Sequence, residues 1–152
     1  YLRGAHLGGA YLQGAYLQGA HLQRADLQDA YLRGADLQGA HLQRADLQGA
    51  DLQGATLQGA HLQGAHLQRA HLQGADLQGW LILQFGPGGS RSDYLVYKRR
   101  DGFEEVITGC FTGTLAEFEA QVKEKHGDNE HGRYYNAVIA TIRTRIPEKV
   151  TA

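Results

Sequence analysis

Leucine recurs at every fifth position from Leu2 to Leu77, and alanine at every fifth position from Ala5 to Ala75. Polar or aromatic residues fill the places between them. A period of five matches neither the 3.6 of an amphipathic helix nor the 2 of a half-buried strand. An unbroken short repeat predicts a solenoid instead, whose units bury their apolar side only by stacking on their neighbours. The register runs on through Ile82, with Trp80 in an alanine place and Leu81 in a polar one, and these two are expected to close the end of the core. Gly86-Pro87-Gly88-Gly89-Ser90 then reads as a linker or turn. Residues 92–110 alternate as a β-hairpin about Asp101-Gly102. Pairing outward from that turn sets Arg99 opposite Glu104, Lys98 opposite Glu105, Tyr97 opposite Val106 and Val96 opposite Ile107. Thr114-Leu115-Ala116-Glu117 has the form of a capping box and predicts a helix to about Lys125 that buries Leu115, Phe118 and Val122. A second helix is predicted from about Gly132 to Arg145, with Tyr135, Val138, Ile139, Ile142 and Ile146 on one face and Pro147 ending it. The chain therefore divides into a repeat region (residues 1–85), a linker (86–91) and a small α+β domain of one hairpin and two helices (92–152).

The blocks from Tyr1-Leu2-Arg3-Gly4-Ala5 to Ala75-Asp76-Leu77-Gln78-Gly79 resemble the pentapeptide-repeat family, whose motif is A-(D/N)-L-x-x. The resemblance implies an all-β solenoid: a right-handed quadrilateral β-helix with four pentapeptides to a coil and about four coils, leucine and alanine pointing inward. Where many members carry Asp or Asn between alanine and leucine, this chain also uses His and Tyr. Residues 20 apart then stack into ladders about 4.8 Å apart. The outward ladders are Tyr1-His21-His41-His61, His6-Asp26-Asp46-His66, Tyr11-Tyr31-Asp51-His71 and Tyr16-Asp36-Thr56-Asp76. Glutamines such as Gln18, Gln38, Gln58 and Gln78 are expected to hydrogen-bond along the stack. Glycine dominates the corner position, where positive φ is needed. Asp26 over Asp46 is a like-charge contact, and Arg24 and Arg44 stand close enough in sequence to relieve it.

Charge changes this picture little. Residues 1–80 carry five Arg against six Asp, and residues 81–152 carry ten basic and ten acidic residues. Such balance offers no basic footprint for nucleic acid and no polybasic signal for a membrane. No apolar run approaches the ~20 residues of a membrane-spanning helix. Cys110 is the single cysteine, so no intrachain disulfide can form, which fits a reducing compartment. The chain has no Met and opens inside a repeat, so further sequence is expected before it.

Two groups of residues could carry chemistry. Three stacked imidazoles at His21, His41 and His61 invite a metal reading, but ladder spacing is too wide for one zinc to reach all three at ~2.1 Å. A solvated imidazole face is the plainer reading. The segment His126-Gly127-Asp128-Asn129-Glu130-His131 is dense in polar ligand types, though Gly127 can stop one helix while Asp128 or Asn129 caps the next. Cys110 with His126 or His131 would make a thiolate–imidazole dyad. A strand-end cysteine is more often a buried small apolar residue. The run from Gly109 to His131 is similar to a small domain that follows pentapeptide repeats in other bacterial and phage-related proteins, a resemblance that implies no site residues.

These readings lead to a non-catalytic structural or protein-interaction module, with no cofactor and no metal. It is a rigid rod whose C-terminal domain caps it and binds a partner or a second copy in a homo-oligomer. The interaction surface is expected at His21, His41, His61, Arg24, Arg44, Tyr11 and Tyr31, with the polar loop His126, Asp128, Asn129, Glu130 and His131 as a second candidate. The setting expected is a bacterial cytoplasm or a phage particle. The family resemblance also implies an alternative, a DNA mimic that binds DNA gyrase in the manner of quinolone-resistance proteins. That role needs a strongly negative rod, which the near-cancelling Arg and Asp do not supply.

Overall fold

The computed structural model describes residues 1–89 and 93–146. It forms two compact units, Tyr1–Leu81 and Ile82–Ala152.

In the first unit every pentapeptide makes one extended contact and one turn. Parallel bridges join residues 20 apart, from His6 with Asp26 to Thr56 with Asp76. Each bridge is held by two backbone bonds that flank the residue one coil back, as where His41 N–H donates to Ala20 (2.9 Å) while its carbonyl accepts from Leu22 (2.8 Å), either side of His21. The turn is closed by the alanine N–H donating to the preceding leucine carbonyl, for example Ala45 to Leu42 at 3.0 Å. Its third residue must take positive φ, which glycine adopts freely. Four such places instead hold Arg24, Asp29, Arg44 and Arg69, at φ of 53–63°.

The interior is filled by leucine and alanine as the repeat predicts. Leu22 to Leu67 and Ala25 to Ala70 are buried, whereas the leucines of the first twenty residues remain partly exposed. A coil with a neighbour on one side only cannot cover its own core. At the other end Trp80 takes the place above Ala20, Ala40 and Ala60, is buried, and donates its indole N–H to the Ala60 carbonyl at 2.9 Å.

The second unit holds a four-stranded sheet in the order β1 (Leu81–Gly88), β2 (Asp93–Arg100), β3 (Phe103–Thr108), β4 (Phe111–Gly113), followed by α1 (Leu115–Lys125) and α2 (Glu130–Arg145). The β2–β3 register pairs Arg99 with Glu104, Lys98 with Glu105, Tyr97 with Val106 and Val96 with Ile107, as the charge pattern predicts. Asp101 and Gly102 both have positive φ (47° and 82°), the requirement of a two-residue hairpin turn. Thr114 and Glu117 form the capping box, and α1 buries Leu115, Phe118 and Val122. Asn129 caps α2 by accepting from Gly132 N–H at 2.9 Å. Helix α2 therefore starts two residues before the expected Gly132.

Two strands differ from the expectation. Gly86, Pro87 and Gly88, read as linker, belong to β1 at the sheet edge, the place in a sheet where proline is tolerated. Their glycines serve close packing: a side chain at Gly88 would collide with the Tyr134 ring, and one at Gly89 with Tyr135. Residues 90–92 of that stretch, and Pro147, lie outside the described residues. Strand β4 extends the predicted hairpin by a third antiparallel partner, pairing Thr108 with Phe111.

Candidate interaction surfaces and a cleft in the C-terminal unit

The outward residues of the solenoid form columns on a shared spacing. On the first side Tyr1, His21, His41 and His61 follow one another with ring centroids 4.8 Å apart at each step. The His21–His41 and His41–His61 planes lie within 19° and 11° of parallel, so these rings cover one another's faces and leave their edges outward. On the third side Tyr11 stacks on Tyr31 at 4.9 Å, and these are 79% and 43% exposed. The expected surface residues thus fall on two different sides and do not make one site.

Glutamine behaves differently from the expected amide ladder. Gln38 does donate to Gln58 Oε1 at 3.0 Å. Gln18 and Gln28, however, donate to carboxylates one coil on, Asp36 and Asp46. Each of Asp26, Asp36, Asp46, Asp51 and Asp76 also accepts from the backbone N–H two residues later at 3.1 Å. This local turn explains aspartate between alanine and leucine, and sequence reading missed it. It also corrects the expected role of the arginines. The Asp26–Asp46 contact is relieved by Gln28 and by backbone N–H groups, and neither Arg24 nor Arg44 joins an ion pair among the described residues.

Charge is sorted by side in a way that net balance conceals. Residues 1–5, 21–25, 41–45 and 61–65 hold three Arg and three His with no acid. Residues 16–20, 36–40, 56–60 and 76–80 hold Asp36 and Asp76 with no base.

In the C-terminal unit a cleft of about 300 Å³ opens between β2, the β3–β4 turn, α1 and α2. Phe111, Phe118 and Val122 give it apolar wall, and Asp93, Cys110, Lys125 and His126 give it polar groups. Cys110 is exposed, against the expectation of a buried residue, because it lies in the tight turn from β3 to β4. Of the polar loop, His126 alone lines this cleft. Its ring sits 5.6 Å from Tyr135 and 5.8 Å from His131. Asn129 caps α2, and the Asp128 carbonyl accepts from Arg133 at 2.7 Å, so much of the loop's polarity joins the helices. Among the described residues no three His, Cys, Asp or Glu side chains converge as a metal site requires. No described helix is long and apolar enough to cross a membrane.

The family model for pentapeptide repeats matches residues 1–39 and 40–79 in eight copies. The chain belongs to the pentapeptide-repeat family. It is similar to the pentapeptide repeat protein Rfr23 of the cyanobacterium Cyanothece 51142, at 45% identity over 47% of this chain and 48% of that one, with a TM-score of 0.46. A pentapeptide repeat protein of Nostoc Pcc 7120 is 52% identical over 48% of this chain and 60% of that one, TM-score 0.48. One from the Arabidopsis thaliana thylakoid lumen is 37% identical over 43% and 45%, TM-score 0.42. The matched part thus spans about half the length of these solved relatives. None of the curated proteins matches the chain. Pentapeptide-repeat proteins are generally structural or interaction modules.

Proposed function

We propose that this pentapeptide-repeat protein is a non-catalytic interaction module. A rigid right-handed quadrilateral β-helix of about four coils displays its outward columns to a protein partner, and the C-terminal unit adds a contact of its own. The observation that carries this reading is the split between inside and outside. Inner columns are uniform leucine and alanine, while each side presents a different outward column on the same backbone spacing. Only the outward residues can distinguish one partner from another.

Photocrosslinking residues placed one per side, at His41, Asp46, Tyr31 and Thr56, test this in the cell of origin. A discrete crosslinked protein from one or two sides is expected, and no crosslink from any side would overturn the reading. The gyrase-binding alternative is less supported, because a DNA mimic needs acidic sides and the first side carries only bases. A supercoiling assay with fluoroquinolone is expected to show no protection by the protein at micromolar concentration.

A further inference from the structure

Arg24 and Arg44 occupy equivalent corners on the first side, one coil apart, each with φ of 59°. The same column carries glycine at Gly4 and Gly64 with no such strain. Holding a non-glycine residue in the left-handed region is unfavourable, and the corner gains no internal hydrogen-bond partner in return. Both side chains are exposed, and among the described residues neither guanidinium pairs with a carboxylate. The glutamine carbonyls of Gln23 and Gln43 beside them are buried without a partner, so they do not hold the arginines either. Nearby Asp26 and Asp46 are satisfied by Gln28, Gln48 and backbone N–H groups. The arginines therefore stand as a column of unneutralised cations on backbones about 4.8 Å apart, next to the edges of His21, His41 and His61.

We propose that this side is a docking surface for an acidic polypeptide, whose carboxylates take the Arg24 and Arg44 guanidinium forks and the imidazole N–H edges. The chemistry of the column selects this partner. A guanidinium binds a carboxylate through two parallel N–H bonds, and an imidazole edge adds one donor to the same oxygens. Single-stranded nucleic acid needs aromatic faces on which bases stack. Here His21, His41 and His61 stack on one another and Tyr1 at the end of the column is its fully exposed ring, so the column offers no run of open faces to successive bases. Extended carboxylate-bearing strands of a sheet repeat at the same ~4.8 Å as this column, so successive contacts fall in register. The proposal rests on the interaction-module reading above.

The test uses poly-L-glutamate and, as a second probe, labelled oligo-dT, each titrated into the full chain at about 0.01 M and about 0.15 M salt. R24G/R44G removes both charges and restores the glycine of the column, so it is expected to fold at least as well as the parent. R33Q/R69G removes the same charge from the other sides. Poly-L-glutamate is expected to bind at low salt, to bind less well at the higher salt, and to lose about tenfold in affinity in R24G/R44G alone. Equal loss in both variants, no binding to poly-L-glutamate, or binding of oligo-dT at least as tight would each overturn the proposal. If crosslinks arise from Tyr31 or Thr56 while poly-L-glutamate fails, only the docking surface is wrong. If no side gives a crosslink, the module reading falls instead.

Discussion

Lys98 and Glu105 face each other across β2 and β3 with Nζ and Oε2 2.9 Å apart, and the lysine is completely buried. Burial lowers the Lys98 pKa, and the Glu105 carboxylate only partly opposes that effect. The pair therefore stabilises the register more by the penalty of breaking it than by its own attraction. Glu105→Ala is expected to destabilise the C-terminal unit by about 3–5 kcal/mol, because it leaves the buried ammonium without its carboxylate. The double variant Lys98→Met, Glu105→Leu is expected to be about as stable as the parent or more so. Denaturation midpoints of the three proteins check this, and similar losses in single and double variants would show that the pair itself supplies the stability.

Tyr97 sets an alkaline limit on the same unit. Its hydroxyl donates to Glu104 Oε2 at 2.9 Å, and Glu104 Oε1 accepts from Leu115 N–H at 3.1 Å, so one carboxylate ties the hairpin to the start of α1. Burial, then the Glu104 hydrogen bond, push the Tyr97 pKa from 10.0 up to about 12. Between these values the folded state binds more protons than the unfolded one, so stability falls as pH rises through that window. Lys98 runs the other way: its folded pKa is lowered, so its contribution grows with pH up to the ordinary 10.5. Loss of stability above pH 10.5 is thus expected to come chiefly from Tyr97, at most about 2–3 kcal/mol, with a further part from Tyr134, whose pKa burial also raises, and Tyr97→Phe should reduce it. Melts of both proteins from pH 9 to 12 decide the point.

Much of this fold is legible because short-range chemistry dictates it. The five-residue period fixes which residues enter the solenoid, Asp101-Gly102 fixes the hairpin register, and Thr114 with Glu117 fixes the start of α1. Strand β1 was hidden because Gly86, Pro87 and Gly88 read as a break, and only the packing of Tyr134 and Tyr135 reveals why glycine is needed there. Strand β4 is three residues long, too short to carry an alternating pattern. The candidate surfaces were harder still. Which carboxylate Gln28 reaches, and hence whether Arg24 and Arg44 are spent internally, depends on side-chain geometry across a gap of 18 residues. The cleft has both Cys110 and His126 in its lining through tertiary packing that no local spacing encodes.

The solenoid core should resist enlargement far more than its surface resists apolar substitution. Ala45 is fully buried, whereas Gln43 is half-buried on the first side with its carbonyl oxygen buried and unpartnered. Ala45→Leu is expected to cost about 1–3 kcal/mol through overpacking. Gln43→Leu removes an unsatisfied polar atom and should be neutral or slightly stabilising. Chemical denaturation of the two variants compares them directly. Equal midpoints would contradict the inward and outward assignment of these positions.

The carboxylate ladder on the second side gives a sharper test of what neutralises it. Gln28 donates to Asp46, whose other oxygen accepts from Gln48 N–H, while Asp26 accepts from Gln28 N–H. Gln28→Ala keeps the backbone contact but removes the amide that bridges the two coils. A hydrogen bond to a charged group contributes about 1.5–3 kcal/mol, reduced here because the pair is exposed. A loss of about 1 kcal/mol is therefore expected, and it should grow at low salt, where Asp26 and Asp46 repel more strongly. Arg44→Gly should do the reverse, raising stability by about 1 kcal/mol as left-handed strain is relieved. The two variants thus predict opposite signs from neighbouring residues. If Arg44→Gly instead destabilised the solenoid, and did so most at low salt, the arginine would be neutralising the aspartates after all, and the first side would have less free charge to offer a partner.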